Sequence, residues 1–252
     1  MISDPVKDIL TPELLIRYAE RKGYRIFNGN NGNSFYDLNI WAIRNSNHIA
    51  GEFDDLLIVF WRTRSGWESK HVICTVDPSD HYLLNPIHKL GTAIIKPGQY
   101  RSVWQIGNHS GYEALVQRLP ITVIRDFNRD IKLDFQLEDL HYLERKVFAN
   151  KQGGHTTKWY SPDGNIVHIQ DHGYFGIHLH RASKWRVLKQ IGLYSAGCVV
   201  VPNINHYNKL MDIFRLGAEY WGNSFTFTLI TEDDFINTVG IGKQSRYYDT
   251  RN

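Results

Sequence analysis

DLLIVFWRTRSGWESKHVICTV, residues 55–76, is the stretch that decides the fold class of this chain. Two runs rich in β-branched and aromatic residues flank RSGW, in which Ser65-Gly66 supplies a tight turn. This pattern is typical of a β-hairpin, because glycine accepts the backbone angles that a two-residue turn needs. The stretch therefore predicts a chain that is built mainly from antiparallel strands.

Strand and helix signals continue from this hairpin to residue 231. Several further runs combine β-branched or aromatic residues with turn residues at their ends, which is the pattern of buried or half-buried strands. They are GTAIIKPGQYRSVWQIG (91–107, two strands separated at Pro97-Gly98), LPITVIRDF (119–127), GNIVHIQDHGYFGIHLHRA (164–182, two strands broken at Gly173), CVVVP (198–202) and SFTFTLIT (224–231). NINHYNKLMDIFRLGAEYW (203–221) has apolar residues at helical spacing and predicts a helix packed on the sheet.

The residues before the hairpin mix helix and strand signals. A helix is predicted from Pro12 to Lys22, with Thr11 as its N-cap and Gly23 as its stop. A turn-rich loop, NGNNGNS (28–34), separates it from YDLNIWAIRN (36–45), which alternates like a strand.

Together these signals predict a mainly β protein of the α+β class. We expect an N-terminal α+β extension (residues 1–53), a β domain with one packed helix (54–232) and a polar C-terminal tail (233–252). No linker-like stretch marks the first junction, so the extension and the β domain are expected to pack together.

Composition restricts the class of protein. The chain has 252 residues, and 42% of them are hydrophobic and 13% aromatic, which indicates a folded protein. The net charge is only +3 with scattered Lys and Arg, so no nucleic-acid partner is predicted. No apolar run is long enough to span a membrane, and MISDPVKDIL lacks the pattern of a secretory signal, so synthesis in the cytoplasm is expected. Nothing in the composition indicates an oligomeric state.

The two cysteines, Cys74 and Cys198, are too few for a disulfide framework, and they stand in different settings. Cys74 lies inside an apolar strand and is expected in the core. Cys198 follows Ser195-Ala196-Gly197. A thiol attacks a carbonyl group only as thiolate, so a catalytic cysteine needs a base nearby.

Strand alternation places His178 and His180 on one face, and the 17-residue connection after His180 could return the chain to Cys198. Gly197 permits a sharp bend, so its amide and that of Cys198 could together bind an oxyanion. The alternative is that Cys198 is a small buried apolar side chain.

The sequence offers two candidate metal sites. His168, His172, His178 and His180 lie within thirteen residues, and a His-x-His strand can bind zinc, so a zinc hydrolase is an alternative function. DFNRDIKLDF (126–135) places oxygen ligands at calcium-loop positions, but Ile131 and Leu137 replace the required Gly and Glu. That segment is therefore predicted to be a charged turn, and neither a metal nor a cofactor is assigned.

GIHLHRA (176–182) and YSAGCVV (194–200) together resemble the signature of the L,D-transpeptidase (YkuD-type) catalytic domain. That signature is a strand ending in Gly-Ile-His or a near variant, a variable lid, and Ser/Thr-His-Gly-Cys. His180 stands 18 residues before Cys198, which fits the family spacing. GTAIIKPGQYRSV is similar to the family's Thr-Pro-x-Gly-x-Tyr/Phe segment, and the hairpin resembles its opening strands. The chain also resembles phage and prophage proteins that carry Ser-Ala-Gly-Cys.

The resemblance implies an L,D-transpeptidase-like β-sandwich over residues 54–231 and a defined chemistry. Cys198 would attack a peptidoglycan stem peptide, and His180, oriented by a backbone carbonyl, would be the base. The oxyanion would be held by the amides of Ala196, Gly197 and Cys198. An amine or water would then resolve the acyl-enzyme, giving a cross-link or a hydrolysed peptide. The residues expected to bind substrate are His178, Arg181, Tyr174, Ser195 and Trp185.

Two positions depart from the family pattern. Ala196 stands where the family usually has His, and Val200 stands where Arg or Asn is common. These departures favour altered substrate choice, or hydrolysis rather than cross-linking. They also leave open a non-catalytic cell-wall-binding or virion structural protein. Under either reading the protein is expected to act at the bacterial cell wall, as a phage endolysin does, or to be part of a virion.

Overall fold

The computed structural model describes residues 10–29, 35–47, 49–133 and 140–240, which form thirteen strands in two sheets and four helices. This mainly β architecture agrees with the predicted α+β class. The strands are β1 (Asn39–Arg44), β2 (Asp55–Thr63), β3 (Gly66–Cys74), β4 (Thr92–Ile95), β5 (Gly98–His109), β6 (Tyr112–Gln117), β7 (Ile121–Asp126), β8 (Glu144–Ala149), β9 (His155–Tyr160), β10 (Ile166–Gly173), β11 (Leu179–Arg181), β12 (Val199–Val201) and β13 (Phe225–Thr231). The helices are α1 (Pro12–Lys22), α2 (Asp80–Leu84), α3 (Ile204–Trp221) and α4 (Glu232–Val239).

The larger sheet has the strand order β12-β11-β6-β5-β13-β1-β2-β3. The predicted hairpin forms β2 and β3, and their register is continuous from Asp55↔Cys74 to Thr63↔Gly66. Directly after β3, Thr75 exchanges two backbone hydrogen bonds with Val200 of β12, of 3.0 and 2.9 Å. The first and last strands of this sheet are thereby joined, so the sheet closes on itself at the strand that follows Cys198.

The smaller sheet has the order β4-β7-β10-β9-β8 and is antiparallel throughout. The chain crosses between the sheets twice near the candidate site. The Pro97-Gly98 turn joins β4 of the smaller sheet to β5 of the larger one, and residues 174–178 join β10 to β11.

The main core lies on one face of the larger sheet and includes the buried face of α3, with Leu210 and Phe214. Cys74 is fully buried in this core, which confirms the prediction. Trp104 of β5 is also fully buried; its ring stacks on Phe227 at 4.3 Å, and its indole N–H donates to the Ile177 carbonyl at 3.0 Å. This last bond ties the core to the segment that enters β11.

The predicted extension and β domain share one sheet. β1 pairs with β13 and with β2, and α1 packs near α4. α1 occupies the predicted residues, capped by Thr11 and ended by Gly23 with φ 71°.

The first residues assigned to the polar tail, 233–239, instead belong to helix α4. The Thr231 side chain accepts from the Asp234 amide and caps the helix, and Phe235 is fully buried. Residues 30–34 of the predicted loop and residues 241–252 of the tail lie outside the described part of the chain.

Among the described residues, no helix has both the length and the apolar character needed to cross a membrane.

Replacing Trp104 with Phe is expected to lower the free energy of unfolding by about 1–3 kcal/mol, because the buried Ile177 carbonyl loses its donor. Urea denaturation would measure the change. Trp185→Phe is the control: Trp185 is 83% exposed, so that change should cost under about 0.5 kcal/mol. Equal stabilities of the two variants would contradict the assignment.

Candidate active site

Cys198 follows a tight turn that tolerates only glycine at position 197. Gly197 has φ 124°, and a Cβ built there would lie 2.4 Å from the carbonyl oxygen of Ala93. Both facts exclude a side chain, because L-residues rarely adopt this φ and the contact is with rigid backbone. The glycine therefore lets the chain pass close to β4 and emerge at Cys198.

Ser195 fixes this turn from within the protein. It is fully buried, and its Oγ lies 3.0 Å from the Asp77 carbonyl and 2.9 Å from the Cys198 carbonyl while accepting from the Gly197 amide at 3.2 Å. A hydroxyl carries one hydrogen, so it donates to one of these carbonyls at a time. The Ser195 carbonyl in turn accepts from the Ser79 amide at 3.0 Å.

The partner of this turn, Asp77, is held by a buried ion pair. Arg44 of β1 donates from Nε to Asp77 Oδ1 at 2.9 Å and from a terminal nitrogen to the Ile95 carbonyl at 3.0 Å. Both charged side chains are almost completely buried. Removing one partner of such a pair would leave an uncompensated charge, which typically costs 3–5 kcal/mol. The position of the Ser195 turn therefore depends on β1, near the other end of the chain.

The parallel pairing of β11 with β12 sets the direction of the site's side chains. Leu179 pairs with Val199, and both side chains enter the main core. His180 pairs with Val200, so these two point to the opposite face. By the same alternation His178 and Cys198 lie on the face of His180.

Cys198 is half-buried, and both of its hydrogen bonds involve backbone. Sγ accepts from the His178 amide at 3.5 Å and donates to the Gly176 carbonyl at 3.4 Å. Burial raises the pKa of the thiol to about 11, although the bond from the His178 amide acts in the opposite direction. The sulfur is therefore protonated at neutral pH.

His180 has the protonation state that a general base requires. Its Nδ1 lies 2.9 Å from the Arg181 carbonyl, which can only accept, so Nδ1 carries the hydrogen and Nε2 has the free lone pair. Burial lowers the pKa of His180 to about 4; the Arg181 carbonyl opposes this effect, and the charges of His109, His178 and Arg181 add to it. The backbone carbonyl that the family resemblance implied is thus present beside this ring.

His178 is committed to a structural contact. Its Nδ1 accepts from the Gln117 amide at 2.9 Å, and burial, followed by the charge of His109, lowers its pKa to about 4. The Gln117 side chain also accepts from the Phe175 and Ile177 amides at 2.9 and 3.1 Å. Gln117 therefore holds the segment that leads into β11.

His109 was not among the predicted site residues. It ends β5, and its ring stacks on His180 at 4.4 Å with 21° between planes while meeting His178 edge-on at 5.2 Å. In the sequence it is a single histidine in a turn, NHSG, so no local pattern distinguishes it. Only the pairing order β5-β6-β11 brings it over His180.

The structure corrects one predicted substrate contact. Ser195 is fully buried and engaged by backbone, so it shapes the turn and does not bind substrate. Arg181 is half-buried, and its guanidinium covers the Tyr112 ring at 3.9 Å. Tyr174 and Trp185 are exposed, at 47% and 83%, and so are free to contact a ligand.

The predicted oxyanion site is also corrected at one position. The Gly197 amide donates to Ser195 Oγ, so it is already occupied. Within the described residues, the amides of Ala196 and Cys198 donate no hydrogen bond to protein, and they remain the two candidate donors.

The four histidines of the zinc alternative separate in space. His168 and His172 belong to β10 of the smaller sheet, whereas His180 belongs to β11 of the larger one and His178 directly precedes that strand. In the described parts of the chain, no three His, Cys, Asp or Glu side chains are arranged to hold a metal ion.

The predicted charged turn is built around Asp130. The Asn128 side chain accepts from its amide, and Asp130 accepts from that of Lys132. Asp134 and Leu137 lie outside the described residues.

Comparison of the chain with protein-family models, curated proteins and solved structures finds no significant match.

The histidines make folding stability depend on pH. The pKa of His178 and of His180 is about 4 in the folded protein, below the ordinary 6.5, so the unfolded chain binds more protons between these values. Stability is therefore expected to be complete above pH 6.5 and to fall as the pH decreases to 4. His180→Gln should reduce this loss by about 3 kcal/mol, measured by urea denaturation at each pH. The exposed His206→Gln should leave the profile unchanged.

The Cys198 thiol is expected to react slowly with iodoacetamide at neutral pH. Because the thiolate reacts and the pKa is about 11, the rate should rise about tenfold per pH unit from pH 7 towards that value. Mass spectrometry of the native protein would follow the adduct, and Cys74 is fully buried and should stay unmodified. A rate that is already maximal at pH 7 would mean that a thiolate–imidazolium pair exists in the free protein.

Proposed function

We propose that this protein is a cysteine-dependent, peptidoglycan-modifying enzyme of the L,D-transpeptidase type that acts on stem peptides. The observation that carries the proposal is the neutral imidazole of His180, anchored through Nδ1 to a backbone carbonyl, on the same strand face as the half-buried thiol of Cys198. A neutral imidazole with a free Nε2 and a cysteine that follows a glycine turn, both on one strand face, are the groups that acyl transfer uses.

The first step would be attack of Cys198 Sγ on the carbonyl carbon between the diamino acid and D-alanine. The thiol keeps its proton in the free protein, because its pKa lies far above that of His180. We therefore propose that the proton passes to His180 Nε2 as the C–S bond forms. The carbonyl oxygen would accept from the amides of Ala196 and Cys198, each donor contributing about 3 kcal/mol.

The second step would release D-alanine. The imidazolium of His180 returns its proton to the leaving nitrogen as the C–N bond breaks, and an acyl-enzyme remains on Sγ. Water or an amine then attacks this thioester and restores the thiol. Ala196 supplies no imidazole beside the acceptor, and Val200 is fully buried. We propose water as the acceptor, so that the enzyme acts as a carboxypeptidase or endopeptidase.

The proposal includes the L,D-transpeptidase-like arrangement of the β domain. It is supported by the hairpin β2–β3, by the β4–β5 crossing at Pro97-Gly98 and by the β11–turn–β12 unit that carries the site. It also includes a phage or prophage origin, synthesis in the cytoplasm and action at the bacterial cell wall, which rest on the Ser-Ala-Gly-Cys resemblance.

A second candidate is a non-catalytic cell-wall-binding or virion structural protein that keeps the same fold. The observation in its favour is the protonated thiol, whose hydrogen points at the Gly176 carbonyl. Such a protein would bind sacculi without releasing any new muropeptide.

Cys198→Ala and His180→Gln are expected to lower product release from purified sacculi at least about a hundredfold, because each removes a group that takes part in bond making. Chromatography with mass spectrometry would identify released D-alanine and peptides. His206→Gln, on the exposed side of α3, is the matched control and should retain full activity. Unchanged release by Cys198→Ala would rule out the nucleophile.

A further inference from the structure

The connection between β11 and the Ser195 turn has an unusual charge pattern. We call residues 184–189, KWRVLK, the outer lid. It carries Lys184, Arg186 and Lys189, all exposed, and no Asp or Glu occurs anywhere between Asp171 and Asp212. Its three positive charges equal the net charge of the whole chain, +3.

The outer lid projects from firmly anchored ends. At one end the Ala182 amide donates to the Val201 carbonyl at 2.9 Å. At the other the fully buried Ile191 donates to the Gly51 carbonyl at 2.8 Å. Leu188 and Ile191 pack in the same apolar cluster as Cys198. The segment that carries the exposed charges is therefore anchored through the apolar cluster that also contacts the proposed nucleophile.

The outer lid also exposes two large apolar side chains that are close in sequence to each other and to the cations. Trp185 is 83% exposed and Val187 58%, and the Lys184 ammonium lies 4.5 Å from the centre of the Trp185 ring. An exposed apolar side chain of this size, beside cations, is typical of a contact surface.

These cations are available to a ligand. In the described part of the chain none of the three forms an ion pair. The backbone of Glu52 bridges Gln190, the residue after Lys189, and among the described residues Glu52 forms no ion pair.

We propose that the outer lid is a docking surface for an acidic peptide: it binds the free carboxylates of the stem peptide while Trp185 packs against the peptide chain. The identity of the peptide rests on the proposed function; the charge preference rests on the lid alone. Three cations within six residues can pair with several carboxylates of one ligand, which steers the ligand and fixes its orientation. The enzyme would then select stem peptides with free carboxylates over peptides in which they are amidated.

Binding is measured in the Cys198→Ala background, so that no turnover interferes. Fluorescence anisotropy compares a labelled stem tetrapeptide that has free carboxylates with the same peptide carrying carboxamides, at low and high salt. The lid variant is Lys184→Gln/Arg186→Gln/Lys189→Gln. The matched control, Arg17→Gln/Arg145→Gln/Lys209→Gln, removes the same charge from exposed positions on α1, β8 and α3.

The lid variant is expected to weaken binding of the free-carboxylate peptide about tenfold and to leave the amidated peptide unchanged. The control variant should change neither by more than about twofold. High salt should reproduce the effect of the lid variant. Trp185→Leu should weaken both peptides equally. All substituted positions are exposed, and an unchanged urea midpoint would show that the variants fold.

Equal binding of the two peptides to the parent protein, or unchanged binding by the lid variant, would overturn the inference. So would lid-dependent binding of a DNA oligonucleotide that is tighter than that of the peptide. The two proposals can fail separately. Charge-dependent binding without product release would support the docking surface and contradict the enzymatic function. Product release with an unchanged KM in the lid variant would support the enzymatic function and contradict the docking surface.

Discussion

The buried contact between Arg44 and Asp77 is the constraint on which the site depends. Arg44 comes from β1, an interior strand of the larger sheet, and Asp77 follows the hairpin. The backbone carbonyl of Asp77 then receives the hydroxyl of Ser195, which also binds the Gly197 amide. This almost completely buried ion pair is thus connected through two hydrogen bonds to the turn before Cys198. The position of the sulfur follows from the sheet and not from the turn by itself.

Burial explains the protonation states of the two groups that are proposed to react. The same desolvation that lowers the pKa of His180 raises that of Cys198, so the free protein favours the uncharged forms of both groups. The neutral form of His180 is also compatible with the stacking of His109 on its ring. Two imidazolium rings with their centres 4.4 Å apart would repel each other. The arrangement is therefore a resting state in which charge develops only when a reacting group arrives.

Local sequence patterns predicted the helices and strands that depend on residues close together in the chain. The hairpin at 55–76, the helix capped by Thr11, and the strand after Cys198 occur where turn residues and apolar alternation placed them. β8 was missed because all six of its residues are exposed and give no alternation. α4 was missed because its acidic first turn resembles a polar tail, although Phe235 is buried.

The residues of the candidate site show the same distinction between local sequence pattern and strand pairing. Cys198 and His180 could be selected from spacing, whereas His109 reaches His180, and Gln117 reaches His178, only through the pairing of β5, β6 and β11.

The bridge between Thr75 and Val200 has a consequence for how the protein folds. This contact joins the end of the hairpin, in the first third of the chain, to a three-residue strand near its end. Pairings between such distant residues form late, because a long loop must close before they contribute. A nascent chain that ends before Val200 has the hairpin but cannot hold the cysteine turn in place. Chemistry at the sulfur is thereby restricted to chains whose synthesis has passed this strand.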